Sequence, residues 1–509
     1  MLVKITRRGG RRIGVIVAAV ASPAASELAD EFKRRTDEIV RRFHSEPVTP
    51  QRFFAFENEL KAAADEACRQ LLEQEVNRLE PEDKGAMPGK VRYRKETYRI
   101  NKKTPAHIAS RFGVITVRSF YYLNQEDGEP GLHPLWVRLG IGRGSATPVL
   151  LERVAWQSKD HTQAEVRDWL RREHGLTWSN DRLRAAQAGY REALLPLVPK
   201  LQKERLLAWL VQAERSRGRH RPVLAVGRDG IMTPMCQGGY REASTATVSV
   251  YDRRRRRLGT IYLGQMPEAK QVTLSRDLTA LVKATLLAWQ GPLPRLAYVT
   301  DKGSAPHEYY HRVLKKMKHP RDDKPLSWEW VLDFYHVCGY LGKMADALFG
   351  PETQAGAQWF AKMRRWLRDR PHGAAQVLRS ASQHLDRRQM TKAQKAEYWK
   401  AYKYVRRHRR LMDYQGYRRR GLPIGSGVTE AACKTVFTQR FKRSGMRWQN
   451  ESGQVILDLR LIHLSGIWAE TVAADLATRE LPQPHPAAHK PAQKRSPHAN
   501  THGVPCLAA

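Results

Sequence analysis

Apolar positions along the first 80 residues repeat at near-helical spacing. In ELADEFKRRTDEIVRRF they fall at Leu28, Phe32, Ile39, Val40 and Phe43, and FFAFENELKAAADEACRQLLEQEVNRL continues the style, which predicts an N-terminal helical region over 1–85. Gly85 to Gly89 break the pattern. VRYRKETYRI and FGVITVRSFYYL then alternate apolar with basic residues, the period of half-buried strands. A small basic β-unit with a turn-rich connector is expected over 86–145. Helical spacing returns over 146–200. There TQAEVRDWLRREHGLTWSNDRLRAAQAGY holds two short helical patterns around Gly175, with Ser179 or Asn180 as a cap and Trp169, Leu170 and Leu183 as core. The spacing suits a helix-turn-helix DNA-binding domain, and an ordinary helical hairpin equally.

The middle of the chain alternates strand and helix patterns. RPVLAVGRDG reads as a buried strand ending in Asp229. STATVSVYD and RLGTIYLGQ read as a hairpin joined by the run Arg253 to Arg257. LSRDLTALVKATLLAWQ is an amphipathic helix, PRLAYVTDKG a strand ending at Asp301, HEYYHRVLKKMK a helix and WEWVLDFYHV a third buried strand. Residues 340 to about 415 read as helix throughout. The tail 481–509 is low-complexity and expected to be disordered. The fold class is therefore mixed α/β.

Composition narrows the partners. Lys and Arg number 89 against 51 Asp and Glu, a formal charge of +38. Such an excess on a chain with 13 Trp and 18 Tyr points to a folded protein with a polyanionic partner, nucleic acid first. The 5 cysteines lie far apart with no CxxC pair, which argues against a zinc ribbon and a disulfide framework and fits a reducing cytoplasm. RRGGRRIGVIVAAVASPAAS imitates a leader, but its apolar run falls far short of the roughly 20 residues needed to span a bilayer. A cytoplasmic protein without membrane association is expected.

Asp229 and Asp301 share a setting: each follows an apolar strand and has Gly within two residues. Ligands of open α/β sheets gather outside the carboxyl ends of strands. Two carboxylates held there, with a third from a helix, are able to grip two divalent ions about 3.5–4 Å apart for in-line phosphoryl displacement, and Mg²⁺ (or Mn²⁺) suits such oxygen donors. Either Asp alone equally suits a turn or cap. Asp333 and His336, three apart after the third strand, form a supporting pair, His336 being able to contact a phosphate or orient a ligand.

GRDG, YVTDKG, VLDFYH and GSGVTEAACK, in that order, resemble the Asp-Asp-Glu transposases of bacterial insertion sequences, most of all the Kra-type family related to Mutator-like transposases. The resemblance spans roughly residues 90 to 470. It implies a ribonuclease-H-like core with a helical insertion before the final Glu, and Asp229, Asp301 and Glu430 as catalytic and metal-binding triad with two Mg²⁺ or Mn²⁺ ions. It places Asp333 and His336 at the family's Asp-x-x-His motif. The core would occupy 218–336 and 421–470, interrupted by the insertion at 337–420. Implied partners are transposon ends and target DNA, with a homodimer or larger assembly to join two ends.

GLPIGSGVTEAACKTVFTQRFKRSGMRWQ, residues 421–449, is where Glu430 sits. Gly425-Ser426-Gly427 permits a sharp turn, Ser426 is a candidate helix cap, and Glu430 falls in the first turn, four residues before Lys434. The cations Lys434, Arg440, Lys442, Arg443 and Arg447 suit a phosphate backbone, with Trp448 packing in the core or stacking on a base. Arg254 and Arg256 of the arginine turn and Arg182 and Arg184 of the helix-turn-helix region are further DNA-binding candidates. The expected function is DNA cleavage and strand transfer. A nuclease without strand transfer on the same core, and a non-catalytic DNA-binding regulator or decayed transposase, are the alternatives.

Overall fold

The computed structural model describes residues 23–124, 129–142, 144–385 and 390–484; the leader-like stretch 1–22 and the tail beyond 484 lie outside them. The protein is mixed α/β. Its chain divides into two compact units, one of residues 1–108, 115–139 and 480–509, the other of 109–114 and 140–479.

In the first unit, α1 (Pro23–His44) and α2 (Pro50–Asn77) form a hairpin. Thr49 caps α2 by accepting from the Arg52 N–H, Pro50 fills a position whose N–H has no helical partner, and Phe43 stacks on Phe56 at 4.3 Å. Of the helical stripe on α1, Ile39 is buried, but Phe32 and Val40 stay exposed. Strands β1 (Lys90–Tyr93), β2 (Glu96–Ser110) and β3 (Gly113–Asn124) make a sheet in the order β3-β2-β1, and α3 (Pro134–Leu139) follows. Val91, Tyr98, Phe120 and Tyr122 are its buried face. The helical and β segments belong together. Asn77 bonds the backbone of Thr116 and Arg118, and the buried Glu80 carboxylate accepts from Phe120 N at 2.7 Å. The tail was expected to be disordered from Leu481, yet Gln483–Pro484 pair with β1.

The second unit opens with α4 (Pro148–Ser158), α5 (Gln163–His174), α6 (Asn180–Leu194) and α7 (Val198–Arg215). Thr162 and Glu165 form a reciprocal cap on α5, Gly175 ends it in the left-handed region at φ 63°, and Ser179 caps α6. Leu170 and Leu183 are fully buried there.

A five-stranded sheet follows, in the order β6-β5-β4-β7-β8. It is built from β4 (Val223–Pro234), β5 (Tyr240–Tyr251), β6 (Arg257–Gln265), β7 (Arg295–Thr300) and β8 (Trp328–Leu332). The first three are antiparallel; β7 and β8 run parallel to β4. Helices α8 (Val272–Ala288) and α9 (Ser304–Arg312) connect them. The pleat sends alternate residues to opposite faces. Leu224, Val226, Leu296 and Tyr298 pack with α7, α8 and α9; Val223, Ala225, Ala297, Val299 and Val331 pack on the other face.

That second face is covered by helices lying between β8 and the Glu430 segment: α10 (Phe334–Phe349), α11 (Gln354–Asp369), α12 (Gly373–Leu385), α13 (Lys392–His408) and α14 (Tyr414–Arg420). The third strand is shorter than WEWVLDFYHV suggested, because Asp333 caps α10 and ends it. Tyr414 and Tyr417 donate to the carbonyls of Leu332 and Trp330, so α14 covers the otherwise open edge of β8. The chain then forms α15 (Gly427–Ala432), a π-helical segment Cys433–Thr438, a last turn α16 (Gln439–Phe441), α17 (Asn450–Leu464) and α18 (Trp468–Thr478). Among the described residues no helix is long and apolar enough to cross a membrane.

Candidate active site

Strand register aligns three acids. The parallel ladder pairs Val223 with Arg295 and Val226 with Tyr298, and its offset, continued three residues past the last pair, would set Asp229 level with Asp301. Between β7 and β8 it pairs Thr300 with Leu332, setting Asp301 level with Asp333, whose N–H donates to Thr300 O at 2.9 Å. All three continue the series of residues that faces the α10–α14 side. Asp229 does not end its strand, as its apolar run implied. Strand β4 continues to Pro234 because β5 keeps pairing with it after β7 has stopped.

Glu430 lies on α15, which is docked by its neighbour Thr429. The Thr429 hydroxyl is hydrogen-bonded to that of Thr247 on β5 at 2.8 Å, both residues buried. Beneath them Gly227 leaves a notch: a Cβ there would overlap Thr429 Oγ1. One turn on, Cys433 donates its thiol to Asp229 Oδ2 at 3.3 Å. Burial, then the like charges of Asp301 and Glu430, push the Asp229 carboxyl up to about 6, against the lowering pull of hydrogen bonds from Cys433 and Gly230. Burial and the same three carboxylates push the Cys433 thiol up, so it stays a neutral donor. Glu430 itself is exposed and pairs with Lys434 at 3.4 Å.

Asp333 is committed elsewhere. It is 2% exposed; Oδ1 accepts from the His336 N–H at 2.6 Å, and Oδ2 accepts from both the N–H and the hydroxyl of Ser426. Ser426 therefore makes no side-chain cap to α15, contrary to expectation, because its hydroxyl donates to Asp333 instead. One buried carboxylate thus starts α10 and clamps the turn that leads to Glu430. His336 lies in an aromatic cluster with Tyr340 and Tyr404, ring centroids 5.5 and 6.0 Å away.

The cations divide. Lys434, Lys442, Arg447, Arg184, Arg254 and Arg256 are exposed. Arg184 and Arg447 line one cleft of about 690 Å³, with Trp448 and Arg167. Arg440, expected on DNA, is 2% exposed; it donates to Ser158 O at 3.3 Å and lies over Trp448. Arg443 is bound to Glu165 at 3.1 Å and to Asp160 O at 2.8 Å. Arg182 lies over Trp178 and donates to Gly144 O and Ser145 O. These three bind carbonyls, a carboxylate and rings of this chain; Arg440 is buried, Arg182 half-buried and Arg443 exposed. Trp448 packs on Phe441 and donates to its carbonyl at 3.0 Å. Arg460, which the sequence did not single out, is 4% exposed and donates to Thr435 O and Val436 O, the carbonyls released by the π-helical widening after Glu430.

Among the described residues no group of three or more His, Cys, Asp and Glu side chains converges tightly enough to hold a metal ion. The donor chemistry nevertheless suits a hard cation, because the acids offer oxygen alone. No protein-family model matches the chain, and no curated protein matches it.

Proposed function

We propose that the chain is a DNA transposase of the insertion-sequence type, cleaving DNA at an element's ends and joining the freed ends to target DNA. The observation that carries this is the register of the adjacent parallel strands β4 and β7, which continued to their acids would set Asp229 level with Asp301, with the Glu430 helix seated on β4 at Gly227. Helices inserted between β8 and α15 further support a ribonuclease-H-like core with an insertion domain.

Asp229, Asp301 and Glu430 would hold Mg²⁺ or Mn²⁺. When bound, two such ions supply activation of the attacking oxygen and stabilisation of the leaving one. Glu430 joins the other two by leaving Lys434, which costs little because a surface pair of this kind is worth about 0.3–0.5 kcal/mol. Asp333 fixes the turn from which Glu430 swings, and Thr429 fixes its distance from β4. In the first step water attacks a phosphodiester and a 3′-hydroxyl leaves. In the second that hydroxyl attacks target DNA, one phosphodiester forming as another breaks, so no ATP is required. Lys434, Lys442, Arg447 and Arg184 are exposed to meet phosphates, and two ends call for a dimer or larger assembly.

The test is a strand-transfer assay with Mn²⁺ and a plasmid carrying the coding region with its flanks. Products joined to target DNA are expected. Cuts without joining would replace transposase by nuclease, and binding without cuts would leave a DNA-binding regulator.

A further inference from the structure

Helix α13 carries a basic surface that none of the chemistry above uses. Lys403, Arg406, Arg407 and Arg410 follow one another at i, i+3, i+4 and i+7, the spacing of a single helical face that runs into the turn Arg409–Leu411. With Arg409 they line an open cleft of about 450 Å³ that no other described residue borders. All five are exposed, and none has a carboxylate partner within ion-pair distance among the described residues. The opposite face of α13, Tyr398, Ala401 and Val405, is buried in the core. The helix is thus held from behind while its front concentrates like charges that repel by a few tenths of a kcal/mol per i, i+4 pair. Folding gains nothing from that arrangement.

The stripe adjoins the acid row. Tyr404 stacks on Tyr340 of α10 at 3.8 Å, next to His336, and its buried hydroxyl has no hydrogen-bond partner among the described residues. His336 donates its N–H to the Asp333 carboxylate, and Asp333 donates its own N–H to the carbonyl of Thr300, the residue before Asp301. A polyanion lying on α13 would therefore pass beside Asp301.

We infer that Lys403, Arg406, Arg407, Arg409 and Arg410 form a binding track for the sugar–phosphate backbone of DNA leading to the Asp301 end of the acid row. From Lys403 to Arg410 the helix advances about 10 Å, the axial rise of roughly three phosphates on one strand. The contacts are point charges on backbone, so the track holds DNA without reading its sequence.

This rests on the DNA-processing role proposed above, and the test separates the two. Binding of a fluorescent 30-base-pair duplex of arbitrary sequence to the full chain is followed by anisotropy in EDTA, where cleavage plays no part, between 0.05 and 0.3 M salt. Each phosphate contact contributes a slope of about −0.9 in log K against log salt, so Arg406→Ala, Arg407→Ala and Arg410→Ala together should flatten the slope by about 2–3 and weaken binding roughly 100-fold near 0.15 M. The triple Arg→Lys variant should bind within about threefold of wild type, since point charges suffice. A charge-matched control at exposed sites elsewhere, Lys33→Ala, Lys200→Ala and Lys283→Ala, should change affinity by less than about threefold. An unaltered slope in the Arg→Ala variant, or an equal loss in the control, overturns the track and leaves any strand transfer standing. Normal binding through the track with no strand transfer by wild type overturns the enzymatic role alone. A wild type that binds no duplex overturns both.

Discussion

Replacing Asp229 by Asn removes a charge that the fold holds at a cost. The carboxyl is raised from an ordinary 3.8 to about 6 by burial and by Asp301 and Glu430. A shift of about two units corresponds to roughly 3 kcal/mol of preference for the neutral form. For an acid raised on folding, the penalty is absent below the unfolded value, grows as pH climbs from about 4 to about 6, and is constant above. Wild-type protein in EDTA should therefore lose up to about 3 kcal/mol of stability across that window through this group. Asp229→Asn should lack that slope and be the more stable protein at pH 7.5, by up to the same amount less whatever the Cys433 hydrogen bond contributes, about 1 kcal/mol. Urea unfolding at pH 4, 5, 6 and 7.5 measures the difference, and 5 mM Mn²⁺ should stabilise wild type but not the variant. A variant less stable than wild type at pH 7.5, with the same gap at pH 4, would show that Asp229 is an ordinary structural acid and refute the reasoning.

Gly227→Ala should force Thr429 off the sheet and displace Glu430, costing about 1–3 kcal/mol by overpacking and abolishing strand cleavage with duplex binding by anisotropy unchanged. Asp333→Ala leaves the Ser426 and His336 donors without their acceptor and should cost about 3 kcal/mol by urea unfolding, with a larger fall in cleavage rate than in DNA affinity. Arg460→Met orphans the carbonyls of the π-helical segment, while Asp160 keeps its pair with Lys159, and should destabilise by about 1–3 kcal/mol, read as a lower urea midpoint; an unchanged midpoint would exclude a structural role for this arginine. Glu430→Gln should leave stability within about 0.5 kcal/mol, the partner being an exposed lysine, yet lower cleavage by at least the 10–100-fold that outer-shell changes cost at metal sites.

Much of the second unit was legible because its strands are buried on both faces and appear as uninterrupted apolar runs: VLAV, LAYV and WVL became β4, β7 and β8. The acids at or near their ends were visible for the same reason. Their alignment was not, since register depends on which strands pair and in which direction, and neither is written in any one segment. The seat of Glu430 was hidden too: Gly227 and Thr429 lie 202 residues apart and mean nothing until β4 and α15 meet. Arginine proved the least legible residue. Arg440 and Arg460 look like surface cations in sequence, but their guanidinium groups are spent on backbone carbonyls of neighbouring turns. Asp333 was found by its spacing from His336, yet its bond is to the backbone N–H of that residue, which puts the carboxylate to structural use.

Whether three acids from β4, β7 and α15 act as one cation site is measured most directly by Mn²⁺ titration with electron paramagnetic resonance, on the full chain with duplex DNA present. Wild type should take up Mn²⁺, and Asp229→Asn, Asp301→Asn and Glu430→Gln should each lose that uptake while still binding the duplex. Uptake by Glu430→Gln equal to that of wild type would contradict a shared site.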